Sequence, residues 1–368
     1  MLTPGDPAPW FVARSTVHPQ ASFATLAGRY VVLTFFGSSS FAPSRNVLDL
    51  FEKNHARFDM FNAYFCGVGV DPDDERLGRV RQQWPGMIYF WDFDAAISLA
   101  YGATSVDSKQ YLTHTLILDP ALRVVAVVPI EASPETHVER VLEVLSRFPP
   151  VTALNGLAPV LSVPYVFEPE FCRKLIDLHE QQGGVECGML PEADGQTMRP
   201  HDPSYKQRTD YNIADPAMIS EVQTRLKRRL IPEIKKAFQF DARHIERYIV
   251  SCYDAQAGGH FRAHRDDTTK DAAHRRFAVT INLNAGEYEG GDLRFPEFGF
   301  GTYRASTGGA IVFSCSLLHE VIPVTRGKRY AFLPFLYDNA AAKIREANER
   351  FTASELRETV VYPATSTI

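Results

Sequence analysis

HFRAHRDD, residues 260–267, sets His264 and Asp266 one residue apart, and SLLHEVIP, residues 316–323, brings His319 fifty-five positions after His264. In an extended strand the side chains at i and i+2 share a face, so His264 and Asp266 can reach one ion together. A second strand carrying His319 completes a facial set of two neutral imidazole nitrogens and one carboxylate. That pattern suits non-haem iron(II). It leaves the opposite face of an octahedron open for a co-substrate and dioxygen, which makes oxidation the expected chemistry. An isolated H-x-D is most often a surface turn or a hydrogen-bonded pair, so the reading needs support from the flanking sequence.

Ten residues after His319, in TRGKRYAFLPFLYD (325–338), Arg329 stands at the head of an apolar, aromatic run that reads as a core strand. A permanently charged guanidinium on a buried strand needs an anion, and its planar fork matches a carboxylate bidentately. Arg329 is therefore the candidate holder for the distal carboxylate of a dicarboxylic co-substrate.

The stretch from about Tyr165 to Asp338 resembles the iron(II) and 2-oxoglutarate-dependent dioxygenases of the prolyl 4-hydroxylase type. The resemblance rests on Tyr253, the turn at Gly258 and Gly259, and the pair His264 and Asp266. It continues through RRFAVTINLN (275–284), Gly290 and Gly291 in YEGGDLRFPE, and TGGAIVFS (307–314) ahead of His319 and Arg329. It implies an α+β double-stranded β-helix, or jelly roll, with His264, Asp266 and His319 as the catalytic iron ligands. The same resemblance implies Fe(2+), 2-oxoglutarate and O2, with ascorbate as a reductant, and release of succinate and carbon dioxide as a C–H bond is hydroxylated. Arg329 and the Tyr253 hydroxyl would share the distal carboxylate of 2-oxoglutarate. Many prolyl hydroxylases carry Lys where this chain has Arg329, which weakens the narrower label without touching co-substrate use.

Two readings of Tyr253 stand: a co-substrate ligand, or a core aromatic whose hydroxyl is satisfied elsewhere. Arg208, in YKQRTDYNI (205–213), is similarly open between a substrate contact near the pocket entrance and a surface ion pair. The loop DDTTKDAAH (266–274) reads as a polar rim, able to orient an acidic or peptide substrate. RLKRRLIPEIKK (225–236) reads as a solvated basic helix face.

The first 150 residues have a different grammar. RYVVLTFFG (29–37) and NAYFCGVGVD (62–71) read as buried strands, with SRNVLDLFEKNHARF (44–58) and DERLGRVRQQW (74–84) as helices. YLTHTLILDPALRVVAVVPIE (111–131) gives two strands joined by a turn, and ETHVERVLEVLSRF (135–148) a closing amphipathic helix. This alternation argues α/β. The segment resembles the thioredoxin fold in its peroxiredoxin branch, in which the loop after the first such strand carries the peroxidatic cysteine. Here that loop is GSSSFAPSRN (37–46), with Ser44 near the cysteine position. A hydroxyl does not ionise near neutrality as a thiol can, so peroxide reduction is not expected. Cys66, embedded in YFCGVGV, reads as a small core residue.

At 368 residues the chain exceeds one usual core, and the expected division is 1–150, a linker at 151–163, an oxygenase domain at 164–340 and a C-terminal helix and tail at 341–368. The linker assignment rests on Pro, Gly and Asn in FPPVTALNGLAPVLSV (148–163), ahead of a helix in FEPEFCRKLIDLHEQQ. Hydrophobic, aromatic and charged fractions of 45%, 12% and 23% are those of a soluble globular protein. A net charge of −5 gives no footprint for nucleic acid, and no run is long enough to cross a bilayer. Cys66, Cys172, Cys187, Cys252 and Cys315 are dispersed without C-x-x-C, so neither zinc nor redox pairing is expected and a cytoplasmic setting is.

The favoured expectation is an oxygenase acting on a peptidyl or amino-acid-like substrate, with the N-terminal half recruiting a protein partner, dimerising or bracing the fold. The alternatives are a thiol peroxidase, which the cysteine-free loop opposes, and a noncatalytic interaction protein, which the intact ligand set opposes.

Overall fold

A computed structural model describes residues 1–105, 110–130, 133–154, 156–186, 192–193, 196–197, 203–352 and 366–367. Cys187 and nearly all of the C-terminal tail lie outside these described residues. Two compact units emerge: Met1–Leu157 with Pro296–Gly301, and Ala158–Phe295 with Thr302–Ile368.

The first unit is built on a five-stranded sheet. Its strands are β1 (Tyr30–Gly37), β2 (Ala63–Gly69), β3 (Met87–Trp91), β4 (His114–Leu118) and β5 (Val124–Pro129), in the order β3-β2-β1-β4-β5. β1 pairs parallel with β2 and antiparallel with β4. All of β1 is buried, which is why YVVLTFFG runs apolar instead of alternating. Helix α1 (Ala42–Lys53) buries Ser44, Val47, Leu48 and Phe51, one stripe at helical spacing, in the same core as the closing-helix residues Val138, Val141 and Leu145.

Two details depart from the sequence reading. The helix expected over 74–84 is instead α2 (Pro72–Arg76), capped by the Asp71 carboxylate and stopped where Gly78 turns left-handed at φ +60°. Strand β3, an all-buried run too short to show a period, was not anticipated. The closing helix is α3 (Pro134–Ser146).

The second unit is a double-stranded β-helix backed by helices. Its larger sheet runs β7 (His244–Glu246), β14 (Phe335–Tyr337), β10 (Phe277–Asn282), β13 (Lys328–Phe332), β8 (Ile249–Asp254) and β6 (Thr209–Asn212). Strand β11 (Ala310–Ser314) pairs with β10, and on its other side with the short strand Leu161–Val163. The last three residues expected as linker are thus a paired strand. The smaller sheet contains β9 (His260–His264), β12 (His319–Val321) and the short strand Leu293–Arg294.

Period-two alternation divides the large sheet between two jobs. Val250 and Cys252, Val279 and Ile281, Tyr330 and Phe332 join a core with Phe171, Leu175, Val222 and Leu230 from the helices Pro169–Gln182 and Pro216–Arg225 and the π-turn Leu226–Leu230. The intervening residues Tyr253, Thr280 and Arg329 line a cleft between the sheets.

Candidate metal centre

The centre starts from one register. In the antiparallel pair β9–β12, His264 stands directly across from His319. Strand β9 ends at His264, so Asp266 lies two residues beyond it and not on the strand as expected. Its backbone N–H donates to the Cys315 carbonyl at 2.9 Å, which folds the carboxylate back toward both imidazoles. Asp266 Oδ1 lies 3.5 Å from His264 Nε2, and its Oδ2 3.3 Å from His319 Nε2. Among the described residues this is the one group of three such side chains whose ligand atoms all lie within 4.8 Å of one another.

Backbone carbonyls select the ligating nitrogen. His264 Nδ1 is 2.8 Å from the Arg262 oxygen and His319 Nδ1 3.0 Å from the Leu317 oxygen. With each Nδ1–H donating to a carbonyl, each Nε2 keeps its lone pair for a cation. Phe261 stacks on His264 at 3.6 Å between ring centroids, and Phe313 packs on His319 at 4.6 Å, which restrains both rings. Burial, and next the proximity of His319, pushes His264 down to about 4, so it stays neutral at physiological pH. Burial alone would raise the Asp266 carboxyl, but His319 and His264 hold it well below the usual carboxylate range. Two imidazole nitrogens and one carboxylate fit a divalent iron ion.

Arg329 is 2% exposed on β13, opposite Tyr253 in the register with β8. Its Nη2 donates to Thr280 Oγ1 at 3.0 Å, while Nε and Nη1 are buried without a partner among the described residues. Two orphaned donors of a buried cation fit one carboxylate of a bound dicarboxylate. Tyr253 is 1% exposed, and its oxygen accepts from Arg208 Nη1 at 2.9 Å. Its own hydroxyl proton stays available to a further acceptor. Arg208 is buried and paired with Asp210 at 2.8 Å, and Ser251 Oγ donates to the other Asp210 oxygen at 2.5 Å. The surface ion pair considered for Arg208 is in fact an internal one, on the wall of the metal cleft.

The cleft is also lined by Arg247, Thr280 and Phe335, which the sequence reading did not single out. Thr280 carried a signal, since Ala278, Thr280 and Asn282 are the small or polar alternates of an otherwise apolar strand. Arg247 carried none beyond a charge ahead of a strand. DDTTKDAAH does border the metal centre, and His274 and Arg275 at its end are tied to Glu246 at 2.7 Å each.

The sequence homologies agree with this division. Residues 248–337 match the 2OG-Fe(II) oxygenase superfamily, and residues 4–127 match the AhpC/TSA family. The two matches cover separate stretches, the earlier one similar to the AhpC/TSA family and the later one to the 2OG-Fe(II) oxygenase superfamily. A PKHD-type hydroxylase of a Synechococcus sp. is 34% identical over 140 residues, 34% of this chain and 60% of that protein. The PKHD-type hydroxylase PiuC of Pseudomonas aeruginosa is 28% identical over 120 residues, 30% of this chain and 50% of that protein. The chain thus spans 60% or less of these relatives' own length. A Pseudomonas putida prolyl-4-hydroxylase structure aligns over 50% of this chain and 94% of its own, with 17% identity and a TM-score of 0.39.

In the first unit, Ser44 is 2% exposed in the opening turn of α1, and its Oγ donates to the Phe36 carbonyl at 2.7 Å. Cys66 is fully buried, and burial pushes its thiol well above the usual range.

Proposed function

We propose that the chain is an iron(II)- and 2-oxoglutarate-dependent dioxygenase that hydroxylates an unactivated C–H bond of a peptidyl or amino-acid-like substrate. The observation that carries this reading is the conjunction of His264, Asp266 and His319 with the two orphaned donors of buried Arg329 in one cleft. Bound iron and 2-oxoglutarate would supply the oxidising chemistry with dioxygen as the oxidant, 2-oxoglutarate leaving as succinate and carbon dioxide. The chain's own residues do the positioning.

His264 Nε2, Asp266 and His319 Nε2 are the three points that would hold the ion, with their orientation set by the Arg262 and Leu317 carbonyls. Arg329 Nε and Nη1 would take the far carboxylate of 2-oxoglutarate, with Thr280 Oγ1 keeping the guanidinium in place. The Tyr253 hydroxyl, with Arg208 donating to its oxygen, is poised to give its proton to the same carboxylate. No side-chain acid or base is needed for hydrogen abstraction, so excluding water and aligning the substrate are the remaining tasks. Phe261, Phe313 and Leu293 supply the apolar wall for that.

The first unit is read as an accessory module without peroxidase chemistry, because Ser44 is locked to a carbonyl and Cys66 is sealed in the core. The test of the oxygenase reading is aerobic incubation with iron(II) and 2-oxoglutarate, assayed for succinate. Formation by the wild type and its loss in Asp266→Ala support the reading; equal succinate from both contradicts it.

A further inference from the structure

The cleft carries more positive charge than an iron ion and one dicarboxylate require. Of the arginines around it, Arg275 is answered by Glu246 through Nε at 3.0 Å and Nη2 at 2.7 Å, and Arg208 by Asp210. Arg329 has the orphaned donors assigned above to 2-oxoglutarate. Arg247 is left over. It donates from Nε to the Leu333 carbonyl at 3.1 Å and lays its guanidinium 4.0 Å from the centre of the Phe335 ring. No carboxylate among the described residues lies within ion-pair distance of it.

Its backbone is also unusual. Arg247 joins β7 to β8 in the left-handed region at φ 56°, which costs a residue with a Cβ roughly 1 kcal/mol. Its neighbours hold it there: Glu246 is tied to His274 and Arg275, and Tyr248 is buried with its hydroxyl accepting from Gln223 at 2.8 Å. A strained residue fixed from both sides and ending in a cation without an ion pair among the described residues, on the wall of the candidate metal cleft, is the kind of outlier that accompanies ligand binding. Burial, then the nearby cations of Arg275 and Arg208, pushes the Arg247 guanidinium down against the weaker pull of Glu246 and Asp266, so an anion placed directly beside it relieves the net penalty.

Its place along the sheet separates it from Arg329. Strand β8 begins at Ile249, two residues after Arg247, and its Tyr253 pairs with Arg329. Four strand steps span about 13 Å. Arg247 and Arg329 therefore enter one cleft from backbone positions well separated along the sheet, and one dicarboxylate needs only one of them.

We propose that Arg247 anchors a carboxylate of the substrate. The substrate class is then a carboxylate-bearing amino acid or peptide, in which the acidic group fixes which C–H bond faces the metal centre. This rests on the oxygenase reading above. Stacking on Phe335 pre-orients the guanidinium fork, so a carboxylate meets a donor pair that is already aligned.

The test is calorimetric titration of the full chain loaded with manganese(II) and 2-oxoglutarate. One arm uses free L-amino acids and the other uses end-blocked tripeptides containing Asp or Glu, each compared with its carboxamide counterpart. The variants are Arg247→Gly, which suits the left-handed backbone and so removes only the side chain, and Arg247→Lys. The expected result is a carboxylate from one arm that binds the wild type at least tenfold more tightly than its carboxamide. That preference disappears in Arg247→Gly and returns in part in Arg247→Lys. The anaerobic iron(II)–2-oxoglutarate charge-transfer band should be the same in wild type and Arg247→Gly.

Equal binding of carboxylate and carboxamide, an unchanged preference in Arg247→Gly, or no binding in either arm by a wild type that forms the band overturns the proposal. Loss of the band in Arg247→Gly also overturns it, by placing Arg247 on the co-substrate. A wild type without the band fails the oxygenase reading itself and removes the ground beneath the proposal.

Discussion

His264 and His319 face each other across the β9–β12 ladder, with ring centroids 4.3 Å apart, so strand register sets the spacing of the two imidazoles proposed to hold the metal. The third proposed ligand, Asp266, follows the strand and is held by its N–H bond to the Cys315 carbonyl. A site positioned by ladder hydrogen bonds does not depend on its ion for its shape. Substituting Ala for His264 or Asp266 should accordingly leave the unfolding midpoint within a few degrees of wild type while lowering iron(II) affinity by ~100-fold or more. Iron retained after gel filtration, read beside a thermal melt, checks this; a variant that keeps stoichiometric iron contradicts the ligand assignment.

Arg329→Ala should act on 2-oxoglutarate and leave the metal alone. Removing two charge-assisted hydrogen bonds costs about 3 kcal/mol, or roughly a hundredfold in affinity for the co-substrate. Arg329→Lys should recover part of it. Titration of the iron-loaded protein with 2-oxoglutarate gives the constants, and an unchanged value in the Ala variant refutes the role.

Gly291→Ala reaches Arg329 indirectly. Gly291 has φ +68°, and a Cβ there would lie 2.8 Å from Val324 Cγ2 and 3.1 Å from Arg329 Cδ. The substitution should cost about 1–2 kcal/mol in stability through backbone strain and crowding, and weaken 2-oxoglutarate several-fold by displacing the Arg329 stem. Chemical denaturation and the same titration test both parts; a fully wild-type profile contradicts the packing argument.

A pH effect is expected in the first unit. His137 is 3% exposed, with Nε2 2.9 Å from Thr115 Oγ1 and Nδ1 3.2 Å from the Pro129 carbonyl, and burial pushes it down to about 4. Its folded value lies below its unfolded value near 6.5, so the unfolded chain takes up the proton first. The stability this residue contributes is complete above about pH 6.5 and is lost as pH falls toward 4, by up to about 3 kcal/mol. Trp10, Trp84 and Trp91 are the three tryptophans of the chain and all belong to this unit, so their emission follows its unfolding. Urea midpoints that do not fall between pH 6.5 and 4.5, or that fall equally in His137→Gln, contradict the assignment.

Much of this was legible in the sequence because a few residues carry chemistry that ordinary packing does not require. Arg329 could be read as buried and anion-seeking from a charge within an apolar run, and it is 2% exposed. The thioredoxin-like strands β1 and β2 were visible as continuous apolar stretches, whereas β3, five residues long, was too short to show a pattern. The expected 74–84 helix failed because Gly78 ends it after one turn, a local backbone choice that outweighs propensity. Asp266 was expected on a strand and lies two residues beyond it, since the bond to Cys315 comes from a segment 49 residues away in sequence. Arg208 and Arg247 could not be placed from sequence, because burial and the partners of a cation are decided by tertiary pairing.

The most direct test of the account is anaerobic addition of iron(II) and 2-oxoglutarate to the metal-free full chain, with visible absorption compared between wild type and His264→Ala. A weak metal-to-ligand charge-transfer band that saturates at one equivalent of iron in the wild type and is absent from the folded variant is the expected result. A folded, iron-replete wild type with no band, or a band of equal strength in His264→Ala, contradicts the claim that His264, Asp266 and His319 form a 2-oxoglutarate-binding iron centre.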